Sequence, residues 1–221
     1  MTETYATATP AQQSTAELIL PAAPDLFAKR PFPGSPVPLL AERAGVAAGT
    51  IYRYFPSKEA LLNAVYQRWK GELRRRLLEE QPSDAEPAEA FRHWWRSLVA
   101  FVREHPVAFE FLELHHHEPY LDETSRALAG EIDLAALAFT GAGQASGVIR
   151  ADQPAPTLVA LVYGALTGLF RARRLYPDVV ADEAFDETEA LLWQMLTTVP
   201  ESTPAYSREP TNRPSQGDER S

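Results

Sequence analysis

Apolar residues recur along most of the chain at intervals of three and four, which is the spacing of one face of an α-helix. The clearest run covers 58 to about 80, where apolar side chains repeat at every fourth position: Leu61, Val65, Trp69, Leu73 and Leu77. Ser57 precedes this run as a candidate N-cap, and Pro82 follows it as a helix breaker. Strand-like alternation is scarce, so the pattern predicts an all-α fold.

The same periodicity predicts further helices on both sides of the long run. They cover 37–44, 47–54, an apolar stretch over 91–102, a shorter one around 109–112, and then 122–144, 156–176 and 183–198. We expect about nine helices in two parts, a three-helix N-terminal domain over 15–73 and a larger helical domain over 74–199. The polar, proline-containing ends, 1–14 and 200–221, are expected to be disordered tails.

The two short helices before the long run have the spacing of a helix–turn–helix. They lie in VPLLAERAGVAAGTIYRYFP (37–56), where Gly45 can adopt the positive φ of a tight turn and Val46 can pack beneath it. Ile51 and Phe55 then face the same interior as Leu40. This element places its second helix in the major groove of DNA, although a plain helical hairpin has the same spacing.

Charge changes the weight of these two interpretations. The net charge of the chain is -9, which by itself argues against a nucleic-acid partner. The signs are segregated, however, because 26–76 holds ten Lys/Arg and three Glu, whereas 77–221 holds eleven Lys/Arg and twenty-four Asp/Glu. The predicted helix–turn–helix lies within the basic stretch, which favours DNA binding.

The second short helix carries residue types that suit a DNA surface. Small residues at its start allow close approach, while hydroxyls and cations suit phosphate oxygens, and Arg53 could also reach a guanine edge. The candidate DNA-binding residues in this region are Ala47, Ala48, Gly49, Thr50, Tyr52, Arg53, Tyr54 and Lys58.

The run LAERAGVAAGTIYRYFPSKEALLNAV (40–65) resembles the DNA-binding signature of the TetR family of bacterial transcription regulators. Ala-Gly-Val, Gly-Thr-Ile-Tyr, Tyr-Phe and Ser-Lys-Glu stand in the order and spacing of that family. By position, the resemblance implies that Ala47, Ala48, Gly49, Tyr52 and Arg53 approach bases and backbone. It also implies that phosphate is held by Ser35, Thr50, Tyr54 and Lys58.

The resemblance also implies a mode of action. The expected protein is a homodimer whose two recognition helices bind a near-palindromic operator in double-stranded DNA. Each body would hold a small-molecule effector that releases the DNA, which makes a repressor the leading hypothesis. Such a protein would be cytoplasmic and associated with the nucleoid when it is bound to DNA.

Prolines near the N-terminus depart from the family pattern. Pro21 and Pro24 interrupt the predicted first helix, and Pro31 stands where the family has a glycine. A proline inside a helix costs about 3 kcal/mol, so we expect a shortened first helix with Pro24 at its first position and Pro21 outside it. This leaves a second hypothesis open, a helical small-molecule- or partner-binding protein whose DNA-binding domain is weakened or lost.

The larger part offers a candidate pocket and a candidate interface. Aromatic residues crowd its middle helices, and walls of this kind suit a mainly apolar ligand with a polar end. The candidate pocket residues are Trp94, Trp95, Phe109, His115, His117 and Tyr163. Small residues four apart in 156–176 would let a second helix approach closely, which fits either core packing or an interface. The resemblance favours a dimer interface formed by Ala160, Gly164, Gly168, Leu191 and Met195.

Other chemistry is expected to be absent. There is no cysteine, and three consecutive histidines at 115–117 point about 100° apart on a helix, so we expect no metal site and no cofactor. We find no nucleophile–base pair or phosphate loop and expect no enzymatic activity. No apolar run reaches the roughly 18 residues of a membrane span, so a soluble protein without a membrane partner is expected.

Overall fold

The computed structural model describes residues 19–25, 27, 37–82, 84–113 and 117–197, and the regular structure in these ranges is entirely helical, as predicted. The predicted tails, 1–14 and 200–221, lie outside the described residues. The nine helices of the described part are α1 (19–25), α2 (Val37–Arg43), α3 (Ala48–Tyr54), α4 (Lys58–Arg74), α5 (Pro87–Glu104), α6 (Pro106–Glu113), α7 (Glu123–Ala145), α8 (Ala155–Leu175) and α9 (Ala184–Thr197).

Helix ends are fixed by the capping residues that the sequence places there. The Ser57 hydroxyl accepts a hydrogen bond from the backbone N–H of Ala60 at 3.0 Å and so begins α4. The Asp122 carboxylate accepts one from the N–H of Ser125 at 2.8 Å and begins α7 in the same way. Beyond its last residue, α4 continues into a π-helical turn over Arg75–Glu79, so the long helix predicted to about residue 80 is confirmed.

The first helix corrects a prediction. Both Pro21 and Pro24 lie inside the helical residues 19–25, so Pro21 is not outside the helix as the proline rule suggested. Three residues of this segment, spaced four apart, are fully buried: Ile19, Ala23 and Phe27. Burying a large apolar side chain contributes about 1.5–3 kcal/mol, which offsets the cost of a proline. Pro31 lies outside the described residues.

One continuous hydrophobic core joins the N-terminal helices to the larger part. At the junction, the ring of Phe111 on α6 lies 5.7 Å from that of Phe27 and 6.5 Å from that of Tyr66 on α4. Helix α4 also packs against α7, α7 against α8, α8 against α9, and α9 against α5. Helix α4 therefore belongs to both parts, with its first turn beside α3 and its later turns inside the larger part.

Helix α8 is apolar, yet only three of its residues are buried: Leu158, Leu166 and Phe170. One row of its exposed residues follows an alternating four–three spacing: Thr157, Leu161, Gly164, Gly168, Arg171 and Leu175. Pro156, Ala160, Tyr163 and Arg174 are exposed beside this row. By length and composition α8 is the one helix in the described ranges that could cross a membrane, so the expectation that no run would reach that length was wrong. Glycines and threonines interrupt the run of large apolar residues in the α8 sequence, but they leave the mean hydropathy of the helix high.

Candidate nucleic-acid interface and effector cavity

The turn between α2 and α3 has the geometry that the sequence predicts. Gly45 has a φ of +67°, a region that residues with a side chain rarely adopt. The N–H of Val46 donates to the carbonyl of Ala41 at 2.9 Å and closes the turn. Leu40 and Ile51 are buried against each other's helices, which fixes the orientation of α3.

One face of α3 is turned to solvent. Ala48, Gly49, Tyr52 and Arg53 are exposed on it, and 52% of Tyr52 is accessible. Thr50 and Tyr54 were predicted on the same face but are half-buried, so they lie at its edges. The exposed Ala47 precedes α3 in an extended conformation. Ser35 lies outside the described residues.

Two cations lie on or beside this face. The Arg53 guanidinium lies over the ring of Tyr54, with its central carbon 5.4 Å from the ring centroid. Lys58 is half-buried in the first turn of α4, and burial lowers the pKa of its amine while the neighbouring Glu59 partly opposes the shift. The exposed face, Arg53 and Lys58 together form what we call the recognition surface.

The recognition surface contains few of the cations counted in the basic stretch. Most of the others form ion pairs with carboxylates: Arg43 with Asp25, Lys70 with Glu113, Arg74 with Glu79 and Glu131, Arg75 with Glu72 and Glu80, and Arg76 with Glu72 and Glu104. At 1.5 Å per residue, Arg74 lies about 24 Å along α4 from Lys58. The excess of positive charge over 26–76 is therefore not a single surface facing DNA.

A cavity of about 580 Å³ lies between α4 and the helices that follow it. Of the predicted pocket residues, Trp94, Trp95, Phe109 and Tyr163 line this cavity. His117 does not, which corrects the prediction. Because α6 ends at Glu113, His117 is not on the continued helical face, and its ring packs 4.5 Å from that of Phe111 instead.

The remaining histidines bear on the metal question. His115 lies outside the described residues, as does His116. Within the described ranges, no group of three acidic or histidine side chains could hold a metal ion.

At the polar end of the cavity the sequence predicted Tyr163 but not Lys70 or Glu113. Lys70 Nζ donates to Glu113 Oε1 at 2.9 Å, and both side chains are only 10% exposed. The Tyr163 hydroxyl donates to the other oxygen of Glu113. Burial lowers the pKa of Lys70, but Glu113, Tyr66 and Asp133 outweigh it and the net shift is upward. The sequence did hold one indication of this polar end. Tyr66 and Lys70 are one turn apart on α4, on a second face beside its apolar one.

A buried amide connects α4 to the start of α7. Asn63 Nδ2 donates to the backbone carbonyl of Tyr120 at 2.9 Å. Its Oδ1 accepts from the N–H of Asp122 at 2.8 Å and from the Ser125 hydroxyl at 2.7 Å. Because both polar atoms of the Asn63 amide have hydrogen-bond partners, this connection fixes the position of α4 relative to the α6–α7 segment.

The predicted interface residues lie mainly on the exposed side of α8 and α9. Gly164 and Gly168 are exposed, and an added Cβ would meet nothing within 4 Å at either position. Leu191 is 64% exposed. Met195 is half-buried and packs on the core of its own chain, while Ala160 is exposed and also lines the cavity.

The fold and the recognition surface define a helix–turn–helix DNA-binding regulator, and comparison with known proteins gives its family. The family model "Bacterial regulatory proteins, tetR family" matches residues 19–65, and "Tetracyclin repressor-like, C-terminal domain" matches residues 48–198. The chain belongs to the TetR family of bacterial transcription regulators. Proteins of this family are DNA-binding transcription regulators and not enzymes.

Individual relatives agree with this assignment. A helix–turn–helix transcriptional regulator of Haemophilus influenzae is 30% identical over 113 residues, which are 49% of this chain and 58% of that protein. The chain thus spans about half the length of the curated relatives it matches.

Solved structures share the fold over nearly their whole length. A TetR family regulator from Marinobacter aquaeolei has a TM-score of 0.73 at 21% identity, covering 85% of this chain and 97% of that one. A TetR family protein from Vibrio parahaemolyticus has a TM-score of 0.63 at 25% identity, covering 83% and 98%.

Gly49 offers a test of close DNA approach. No protein atom lies within 4 Å of a Cβ placed there, so Gly49→Ala should leave the fold intact and raise stability by up to about 1 kcal/mol. If DNA backbone lies against this position, the same change lowers operator affinity. Thermal melting measures the expected rise in stability, and DNA-binding titration measures the expected fall in affinity. Gly71→Ala is the control, because Gly71 is an equally open glycine on α4. Unchanged DNA affinity in Gly49→Ala would contradict the close approach.

Proposed function

We propose that the protein is a repressor that binds a near-palindromic operator as a homodimer and is released from it by a small, mainly apolar effector. The observation that carries this proposal is the position of α4. Its first turn supplies Lys58 to the recognition surface, and about two and three turns further on Tyr66 and Lys70 form part of the cavity wall. A ligand in the cavity therefore contacts the helix that holds the recognition surface.

The proposed dimer uses the exposed face of α8 together with α9. Its alternating four–three spacing is the spacing of helices that pack nearly parallel, and glycines at 164 and 168 permit a close approach. Dimerisation would cover an apolar surface that a single chain leaves in water. In this proposal Ala160, Gly164, Gly168, Leu191 and Met195 lie at or beside the interface.

Release follows from the spacing of the two recognition helices. Half-sites one helical turn apart require their helices to be about 34 Å apart, and a ligand that favours another spacing disfavours DNA. We propose that ligand binding in the cavity shifts α4 through the contact between Lys70 and Glu113. Because Asn63 joins α4 to the start of α7, these two elements would move together. The boundary between a DNA-binding domain (15–73) and an effector domain (74–199) then falls inside α4. The protein would act in the cytoplasm, on the nucleoid when bound to DNA.

The roles within the recognition surface can be separated by salt dependence. Lys58→Ala should weaken binding to every sequence alike and reduce the slope of log K against log salt by about one per protomer, because it removes a phosphate contact. Arg53→Ala should also change sequence preference, at about 1–3 kcal/mol for one base pair. Fluorescence anisotropy with operator variants measures both. Arg68→Ala removes an exposed cation ten residues further along α4 and serves as the control. An Arg53→Ala protein with unchanged preference would contradict base reading.

The proposal as a whole is tested with DNA from upstream of the protein's own gene. The purified protein should protect a palindromic segment as a dimer, and reporter expression should rise when its gene is deleted. Failure to bind any such segment at low salt would favour the other hypothesis, a helical small-molecule- or partner-binding protein without DNA affinity. A fall in reporter expression on deletion would indicate an activator.

A further inference from the structure

The polar groups of the cavity are concentrated at one end. Tyr66 and Lys70 come from α4, Glu113 from α6, Asp133 from α7 and Tyr163 from α8, so four helices meet there. The rest of the wall is largely apolar and aromatic, and it includes Phe91, Trp94, Trp95 and Leu98 of α5. Thr140 of α7 also lines it, but its hydroxyl already donates to the backbone carbonyl of Ala136. A bound molecule therefore has one defined place for a polar group. What this place selects can be inferred from its donors and charges, on the proposed function that the cavity is the effector site.

Hydrogen-bond donors are in excess at this end. The Lys70 ammonium has three N–H donors, and within the described residues one of them is used, in the bond to Glu113. The Tyr66 hydroxyl makes no hydrogen bond within the described residues, and Tyr66 lines the cavity while most of the residue is buried. Glu113 in contrast already accepts from Lys70 and from Tyr163. A ligand meets unused donors here and needs to bring an acceptor.

The charges exclude one kind of acceptor. Glu113 neutralises Lys70, and the exposed carboxylate of Asp133, which also lines the cavity, adds a second negative charge on this side. A carboxylate or phosphate on the ligand would become the third anion beside a single ammonium. An uncharged oxygen accepts the same hydrogen bonds without this repulsion.

We infer that the effector is an uncharged, mainly apolar molecule with a carbonyl or hydroxyl oxygen at one end. That oxygen accepts from Lys70 Nζ and Tyr66 Oη, and the hydrocarbon lies along the aromatic wall of α5. The cavity thus rejects the anion of a fatty acid and takes the corresponding ketone, ester or alcohol.

Three eight- or nine-carbon probes test the inference on the full-length protein by isothermal titration calorimetry at pH 7.5: nonan-2-one, octanoate and octylammonium. Nonan-2-one should bind at least about tenfold more tightly than either ion. Tyr66→Phe removes one donor and should weaken ketone binding about fivefold, with little effect on octylammonium. Tyr176→Phe, an exposed tyrosine outside the cavity, is the matched control and should bind like the wild type.

The outcomes separate the inference from the proposed function. Tighter binding of either ion, equal binding of all three probes, or an unchanged Tyr66→Phe protein overturns the inference. Ketone preference in a protein that keeps its operator when saturated supports the inference and overturns effector release. Absence of binding by every probe overturns both.

Discussion

Replacing Lys70 with methionine is expected to lower the free energy of unfolding by about 3 kcal/mol. The reason is that the Glu113 carboxylate, whose side chain is only 10% exposed, would remain without its ammonium partner. Removing one member of a buried pair typically costs about 3–5 kcal/mol, and we expect the lower end because the Tyr163 hydroxyl still donates to Glu113. Urea denaturation followed by tryptophan fluorescence measures the change, since Trp94 and Trp95 lie in the same cavity.

A second substitution distinguishes charge from packing. Lys70→Met combined with Glu113→Leu should recover most of the lost stability, because no unpaired charge is left and apolar replacements of buried pairs are often neutral. Arg75→Met is the control: it breaks the exposed pairs of Arg75 with Glu72 and Glu80 and should leave the urea midpoint nearly unchanged. A Lys70→Met protein no less stable than Arg75→Met would contradict a buried, interacting pair.

Local sequence signals were sufficient to predict where most of the helices lie. Ser57 and Asp122 cap α4 and α7 through contacts three residues away, and such contacts can be read from a single chain segment. The first helix could not be predicted in this way. The penalties of Pro21 and Pro24 are local, but the burial that offsets them involves Phe111, more than eighty residues away.

The candidate site also has parts that local sequence predicts and parts that depend on distant contacts. The recognition surface could be predicted because α2, the turn and α3 are contiguous, so burial of Ile51 fixes where Arg53 points. The cavity's aromatic wall was predicted from its composition, but its polar end depends on Lys70 meeting Glu113 across 43 positions. Charge counting failed for the same reason, since Glu104, Glu113 and Glu131 neutralise cations that are distant from them in sequence.

In the proposed function DNA binding needs two chains acting together, so the largest functional effect is expected at the α8 face. Leu161→Arg should convert the proposed dimer to a monomer and lower operator affinity by more than about 100-fold. Leu161 is 51% exposed in the single chain, so the substitution should not disturb the fold of one protomer. Light scattering coupled to gel filtration gives the mass, and anisotropy titration gives the affinity.

The size of this effect follows from symmetry. In a two-fold interface each substitution occurs twice, so arginine is placed on both sides of a surface that excludes water. A monomer also loses the gain of about 10²–10⁴ that comes from linking two half-site contacts. Leu134→Arg is the control, because Leu134 is a 67% exposed leucine on α7, a helix that is not part of the proposed interface. If Leu161→Arg stays dimeric, or if Leu134→Arg is equally disruptive, the α8 face is not the interface, and the spacing of the two recognition helices must be set by another surface.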